Sequence, residues 1–260
     1  MTLHGKIAIV TGSGGLGSGR AFARRLSREG AAVVVSDIDE PGGHHTVELI
    51  QSQGGCAAFQ RADVGLEPDV RALITFAEDT FGGLDILINN VSAPYRPSAP
   101  LENWEETIRV DLLGPMWGIR HAIDAMRKRG GGAIVNIGST STLGHGRKHS
   151  GSPAYDVAKA GVIRLTTTLA HLRDSDDIRV NCLVPDWIAT PEVKSYWDSL
   201  TPAQRRDQGV PATLTSLDEI ADAMMRLITG DTLAGRVMVC WSGQPPALIP
   251  AGDPGYVALE

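Results

Sequence analysis

The chain has 260 residues, 42% of them hydrophobic, enough to close one large core, so intrinsic disorder is excluded. Its 24 basic and 30 acidic side chains leave a formal charge of −6, and no Lys/Arg run exists to track a phosphate backbone; nucleic acid is not expected as a partner. Its apolar runs are too short to cross a bilayer, and Met1 to Lys6 lacks the zones of an export signal, so the expectation is a cytoplasmic protein without a membrane partner.

The first apolar run, Lys6 to Val10, leads into Thr11-Gly12-Ser13-Gly14-Gly15-Leu16-Gly17-Ser18-Gly19, and a helix is expected over Ser18 to Arg28. Strand, glycine turn and helix in this order suit a pyrophosphate. The glycines let the backbone turn sharply and approach the anion, and the helix aims free N–H groups and its positive end at it. Gly12-x-Gly14-x-x-Gly17 matches the dinucleotide fingerprint, which 30 glycines could produce by chance. Context strengthens it, because the second strand, Ala32 to Ser36, is followed by Asp37, twenty residues after Gly17, where a ribose-binding acid is expected. A carboxylate there accepts from both ribose hydroxyls and repels a 2′-phosphate, and no Arg stands in place of Ile38, so NAD is expected rather than NADP.

Five more β-branched runs follow: Ala57 to Gln60, Asp85 to Ile88, Ala133 to Ile137, Arg179 to Val184 and Arg236 to Cys240. Helices are expected between them over Pro41 to Gln53, Glu67 to Phe81, Asn103 to Arg129, Pro153 to Leu172 and Leu217 to Ile228. Strands that are continuously apolar, not alternating, are covered by helices on both faces. The expectation is therefore an α/β, Rossmann-like, doubly wound parallel sheet of about seven strands, in a single domain spanning 1–260. Gly130-Gly131-Gly132 reads as a turn between helix and strand. The segment near 191–213, with Trp187, Tyr196 and Trp197 around it, is placed to fold over a substrate, and its aromatic rings serve equally well as internal packing. The tail 243–260, with Pro245, Pro246, Pro250 and Pro254, suits neither a helix nor a central strand. Cys56, Cys182 and Cys240 read as buried free thiols.

Tyr155-x-x-x-Lys159 puts a phenol and an ammonium on one face of the expected helix, one turn apart. A free phenol titrates near ~10, and a neighbouring ammonium together with a cationic nicotinamide favours the phenolate; two units of such a shift need only about 2.7 kcal/mol. Ser139 ends the preceding strand, at the same crevice.

At these motifs the sequence resembles the short-chain dehydrogenase/reductase family, from about Lys6 to Gly243. Thr11-Gly12 with Gly17-x-Gly19, Asp63-Val64, Asn89-Asn90, Asn136-Ile137-Gly138-Ser139, Tyr155-x-x-x-Lys159 and Arg179-Val180-Asn181 to Thr190 occur in the family's order. The resemblance implies that Tyr155 is the general acid/base, that Lys159 holds the nicotinamide ribose, and that Ser139 binds the reacting oxygen. It also implies that Gly12, Gly14, Leu16 and Gly17 cradle NAD, that Asp63 and Val64 face adenine, that Asn90 lies by the cofactor, and that Ile188 and Thr190 hold the carboxamide. A homotetramer packed through the helices at 103–129 and 153–172 follows from the same source.

The chain departs from the family at several points. Four residues, not three, separate Gly12 from Gly17. Asp111 stands where the family carries a catalytic asparagine, and a charged Asp111 would pair with Lys159 and weaken its pull on Tyr155. Pro185-Asp186 replaces Pro-Gly, Asn90-Val91-Ser92 replaces Asn-Ala-Gly, and either change could narrow the cofactor site. The stretch Thr140 to Ala154 is long and carries His145, Arg147, Lys148 and His149, a solvated turn or an attractor for an anionic substrate group. His44-His45 and His145/His149 lack carboxylates or thiols at ligand spacing, so no metal is expected. The leading expectation is an NAD-dependent enzyme acting on a small secondary alcohol or ketone. The rival, motivated by Asp111 and Asp186, is a non-catalytic NAD-binding sensor or partner-binding module.

Overall fold

The computed structural model describes residues 3–94, 102–143 and 150–252. The loop basic residues 145–149, the segment Tyr95 to Leu101 and the last eight residues of the tail lie outside them.

The strands are β1 (Ile7–Thr11), β2 (Ala32–Asp37), β3 (Cys56–Arg61), β4 (Ile86–Asn89), β5 (Gly132–Ile137), β6 (Ile178–Pro185), β7 (Val237–Cys240) and β8 (Ala247–Leu248). They form one sheet in the order β3-β2-β1-β4-β5-β6-β7-β8, parallel throughout except for β8. Successive residues of β1 serve opposite cores: Ala8 and Val10 join one hydrophobic cluster, Ile7 and Ile9 the other. Both faces are therefore buried, which is why these strands are continuously apolar.

On one face lie α1 (Ser18–Arg28), α2 (Glu40–Gln51) and α10 (Leu217–Thr229), contributing Phe22, Leu26, Ile50 and Met224 to the core. The other face takes α3 (Glu67–Phe81) and α5 (Gly114–Lys128), through Leu73, Ile119 and Met126. α6 (Pro153–Thr168) covers β6 and β7 through Val162. Local signals fix the helix ends: Ser152 caps α6 at its Tyr155 N–H, and Ser216 with Glu219 forms a capping box on α10.

The structure differs from the sequence reading at four places. The tail supplies an eighth strand, β8, two residues long and antiparallel at the sheet edge, where flanking prolines cost no ladder bond. The helix expected over 103–129 is α4 (Trp104–Ile108), a π-helical turn (Arg109–Leu113) and then α5. Pro115 has no N–H for the carbonyl of Asp111 four residues back, so the ladder is interrupted there. The segment near 191–213 contains two short helices, α8 (Pro191–Ser199) and α9 (Pro202–Asp207), preceded in the chain by α7 (Leu172–Asp176). Of the three cysteines, Cys182 and Cys240 are buried and Cys56 is exposed.

Candidate active site

From β1, third in the order, the chain runs outward to β3 and then returns to β4 on the other side of β1. The loops leaving β1 and β4 diverge, and the crevice between them is where doubly wound sheets bind ligands. The residues singled out by motif gather along this edge of the sheet. Gly12 follows β1, Asp37 ends β2, Asp63 and Val64 follow β3, Asn90 follows β4, Ser139 follows β5, and Ile188 and Thr190 follow β6.

Gly12 has φ +67°, a left-handed conformation that glycine adopts without penalty. The turn then passes Leu16, which is exposed, and enters α1 at Gly17, which offers no side chain to cap the first turn. Gly15 has open space where a side chain would be, and Gly17 faces the Thr190 methyl, with 3.7 Å between that methyl and an added Cβ. Uncapped helical N–H groups behind an open glycine turn suit a pyrophosphate, and the Asp37 carboxylate beside the turn is chemically able to accept from a ribose hydroxyl. The residues present therefore fit a dinucleotide.

The lengthened turn is clamped at Gly14, which the sequence did not reveal. The Gly14 N–H donates to Asp37 Oδ2 (2.8 Å), and its carbonyl accepts from the Arg20 guanidinium. Arg20 also donates to Thr46 Oγ1 (2.9 Å) and the Gly42 carbonyl (3.3 Å), tying the turn to α2. Burial lowers the Arg20 pKa from its ordinary value, while Asp39 and Asp37 oppose that shift. Asn90 is a strut: its Nδ2 donates to the carbonyls of Thr11 (3.0 Å) and Gly12 (3.2 Å), and its Oδ1 accepts from Ser18 (2.7 Å). Asp63 Oδ1 accepts from the Gly65 N–H (2.8 Å), and Val64 is buried against Gly114. Ile188 pairs with Thr215, closing the base of the α8–α9 excursion, and Thr190 caps α8 at the Val193 N–H.

The second group lies across β5, α6 and the π turn. Ser139 caps a short 3₁₀ turn, its Oγ accepting from the Ser141 N–H (3.2 Å). Lys159 is 3% exposed; its Nζ donates to the Ile137 carbonyl (3.2 Å), two residues before Ser139, and sits 5.5 Å from the Tyr155 ring centroid. On its inner side Asp111 Oδ1 lies 3.7 Å away. Beneath them a buried chain joins Asn89 to Asn136 (2.8 Å) and Asn136 to Thr166 (3.0 Å), locking β4, β5 and α6 together. Burial pushes the Cys182 thiol up to about 12, keeping it protonated.

Asp186 is a brace: its carboxylate accepts from Thr140 Oγ1 (3.2 Å) and the Ser242 N–H (3.2 Å), fastening the ends of β5, β6 and β7. The aromatic residues of the covering segment pack on one another. Trp187 stacks on Tyr196 at 6.0 Å, and Trp197 donates to the Pro211 carbonyl (2.9 Å) with the Arg205 guanidinium over its ring. Among the described residues no His, Cys, Asp and Glu cluster of metal-binding geometry occurs, and no helix is long and apolar enough to cross a membrane.

Known proteins give the same picture. The short chain dehydrogenase family matches residues 6–200. An uncharacterized oxidoreductase of Thermotoga maritima is 37% identical over 74% of this chain and 75% of its own. The cis-4-hydroxycyclohexanecarboxylate dehydrogenase of Sinomonas cyclohexanicum is 36% identical over 84% of this chain and 87% of its own. The solved structure of a short-chain type dehydrogenase/reductase from Mycobacterium ulcerans superposes with a TM-score of 0.83 over 95% of this chain and 94% of that one; at 21% identity this is a likeness of fold. With motif order, sheet topology and family match in agreement, the chain belongs to the short-chain dehydrogenase family.

Proposed function

We propose that the protein is an NAD-dependent oxidoreductase that moves a hydride between nicotinamide and a secondary alcohol or the matching ketone, with Tyr155 as general acid/base. The observation that carries this reading is the Lys159 ammonium, buried 5.5 Å from the Tyr155 ring and anchored on the Ile137 carbonyl, two residues before Ser139. Gly12 to Gly19 would hold the pyrophosphate, Asp37 the adenosine ribose, Asp63 and Val64 the adenine side, and Ile188 and Thr190 the carboxamide side. When bound, the cofactor supplies the hydride chemistry.

The chain's own groups supply the rest. Ser139 holds the reacting oxygen by a hydrogen bond, and the Tyr155 phenolate accepts the alcohol proton, while the Lys159 charge favours that phenolate. In reduction the Tyr155 hydroxyl donates the proton back. Because Ser139 and Lys159 are fixed by backbone partners, little reorganisation accompanies the growth of charge on oxygen.

The test is a panel of cyclic and open-chain secondary alcohols at alkaline pH, with NAD and NADP side by side; the Sinomonas relative's name makes ring alcohols with a carboxylate the first choice. NAD is expected to be preferred at least about tenfold in kcat/KM, because Asp37 meets a 2′-phosphate with like charge. Equal use of the two cofactors would remove Asp37 from its role, and a silent panel would favour the sensor reading.

The same reading places the protein in the cytoplasm, with its activity in the soluble fraction of a lysate, and makes it a homotetramer. The exposed Trp104, Met116 and Val157 on α4, α5 and α6 support packing through those helices. Sedimentation is expected to give a four-chain species, and a monomer at all concentrations would reject it.

A further inference from the structure

The Asp111 side chain is 0% exposed, inside the π turn facing α6. Oδ1 accepts from the Ala93 N–H (3.0 Å) and lies 3.7 Å from Lys159 Nζ, and Oδ2 has no hydrogen-bond partner among the described residues. Native structures rarely leave a buried carboxylate oxygen unserved, and such an exception calls for an explanation.

We propose that Asp111 is a positioning residue, whose carboxylate holds the Lys159 ammonium from the buried side and thereby sets how alkaline the medium must be before Tyr155 accepts a proton from the alcohol. The inference rests on the reading of Tyr155 given above.

Three groups bind or attract one ammonium: the Ile137 carbonyl, the Asp111 carboxylate and the face of the Tyr155 ring. With Asp111 ionised the buried couple is close to neutral, so less positive charge remains to stabilise a phenolate on the other side of Nζ. Burial raises the Asp111 pKa above the ordinary carboxyl value; the Lys159 charge, the Ala93 N–H and the Ser92 hydroxyl oppose the shift, in that order. Among the described residues, Lys159 is the charged group that acts on it. Arg109 of the same π turn lies beside Gly65, the Tyr155 ring of α6 faces the same ammonium, and the Lys159 charge opposes the upward shift of the buried Cys182 thiol on β6. Glu105 and Glu106 of α4 and Asp156 of α6, the last bonded by Ser141, are not among the groups that move it.

The sign follows. A negative charge opposes formation of a second negative charge nearby, so Asp111 moves alcohol oxidation to higher pH. Asp111→Asn keeps an acceptor for the Ala93 N–H and removes the charge. For charges separated by on the order of 10 Å at an effective dielectric of about 20, one charge is worth about one pH unit.

The experiment is a tyrosinate absorbance titration of the full chain without substrate. The Tyr155 contribution is isolated by subtracting the Tyr155→Phe protein, and the same subtraction is repeated in the Asp111→Asn background. The Asn protein is expected to form tyrosinate at residue 155 about one pH unit lower, and the acid limb of kcat/KM for alcohol oxidation moves down with it. Coincident curves, or a shift upward, overturn the proposal. If Asp111→Asn does not fold, Asp111→Ser provides the same neutral comparison; failure of both to fold assigns Asp111 to stability and also overturns it. Because the titration needs no turnover, an inactive chain would sink the oxidoreductase reading while leaving this comparison to decide the inference.

Discussion

Replacing Tyr155 by Phe is expected to lower kcat/KM for alcohol oxidation about 10³-fold while cofactor affinity stays within about twofold. The substitution deletes one oxygen and keeps the ring that packs beside the Lys159 ammonium at 5.5 Å. The contact by which residue 155 supports the fold, its backbone N–H to the Ser152 hydroxyl, is untouched. Loss of turnover with binding intact would therefore locate the defect in proton transfer. Some residual rate should survive, since Ser139 and a held cofactor still orient the reactants. The two measurements are steady-state kinetics and a fluorescence titration with the reduced cofactor. Full turnover in the Phe protein would abolish the mechanism, and loss of cofactor binding would show that the phenol belongs to the binding site instead.

What the sequence made legible was local. Gly12, Gly17 and Asp37 lie within one strand-turn-helix-strand unit, and Tyr155 and Lys159 within one helical turn, so spacing alone suggested their company. The clamps that hold them are contacts between distant parts of the chain: Arg20 with Thr46, Ala93 with Asp111, and Asp186 with Thr140 and Ser242. No periodicity announces such pairs. The sequence also carries local signals for the two covering helices: Thr190-Pro191 before α8 and Thr201-Pro202 with Gln204 before α9 are N-terminal helix signatures. The helix expected to reach Leu172 stops at Thr168 because Thr166, Thr167 and Thr168 turn their hydroxyls back on the carbonyls of Val162, Arg164 and Leu165. β-branched residues with such bonds are poor helix continuers.

Gly19→Ala is expected to weaken cofactor binding at least about tenfold and to destabilise the fold by about 1–3 kcal/mol. Helix propensity argues the opposite, since Ala in a helix is favoured over Gly by about 1 kcal/mol. Packing decides, because the first turn of α1 lies directly on the glycine turn. A Cβ at position 19 would run into the Gly12 carbonyl oxygen and come within 2.7 Å of Asn90 Nδ2. A flexible side chain could move aside, but the nearest obstacle is backbone, at a residue already committed to φ +67°. Relief must come from sliding α1 away from β1 or from pushing out Asn90. Either displaces the N–H groups proposed to hold the pyrophosphate, so binding should suffer more than stability. Gly15→Ala is the control, because open space surrounds that position and its stability should change by less than about 0.5 kcal/mol. Thermal midpoints and cofactor titrations of the two variants separate the effects. Wild-type affinity in Gly19→Ala would mean that the dinucleotide is held elsewhere, and Asp37 would then lose its reason for bordering this turn.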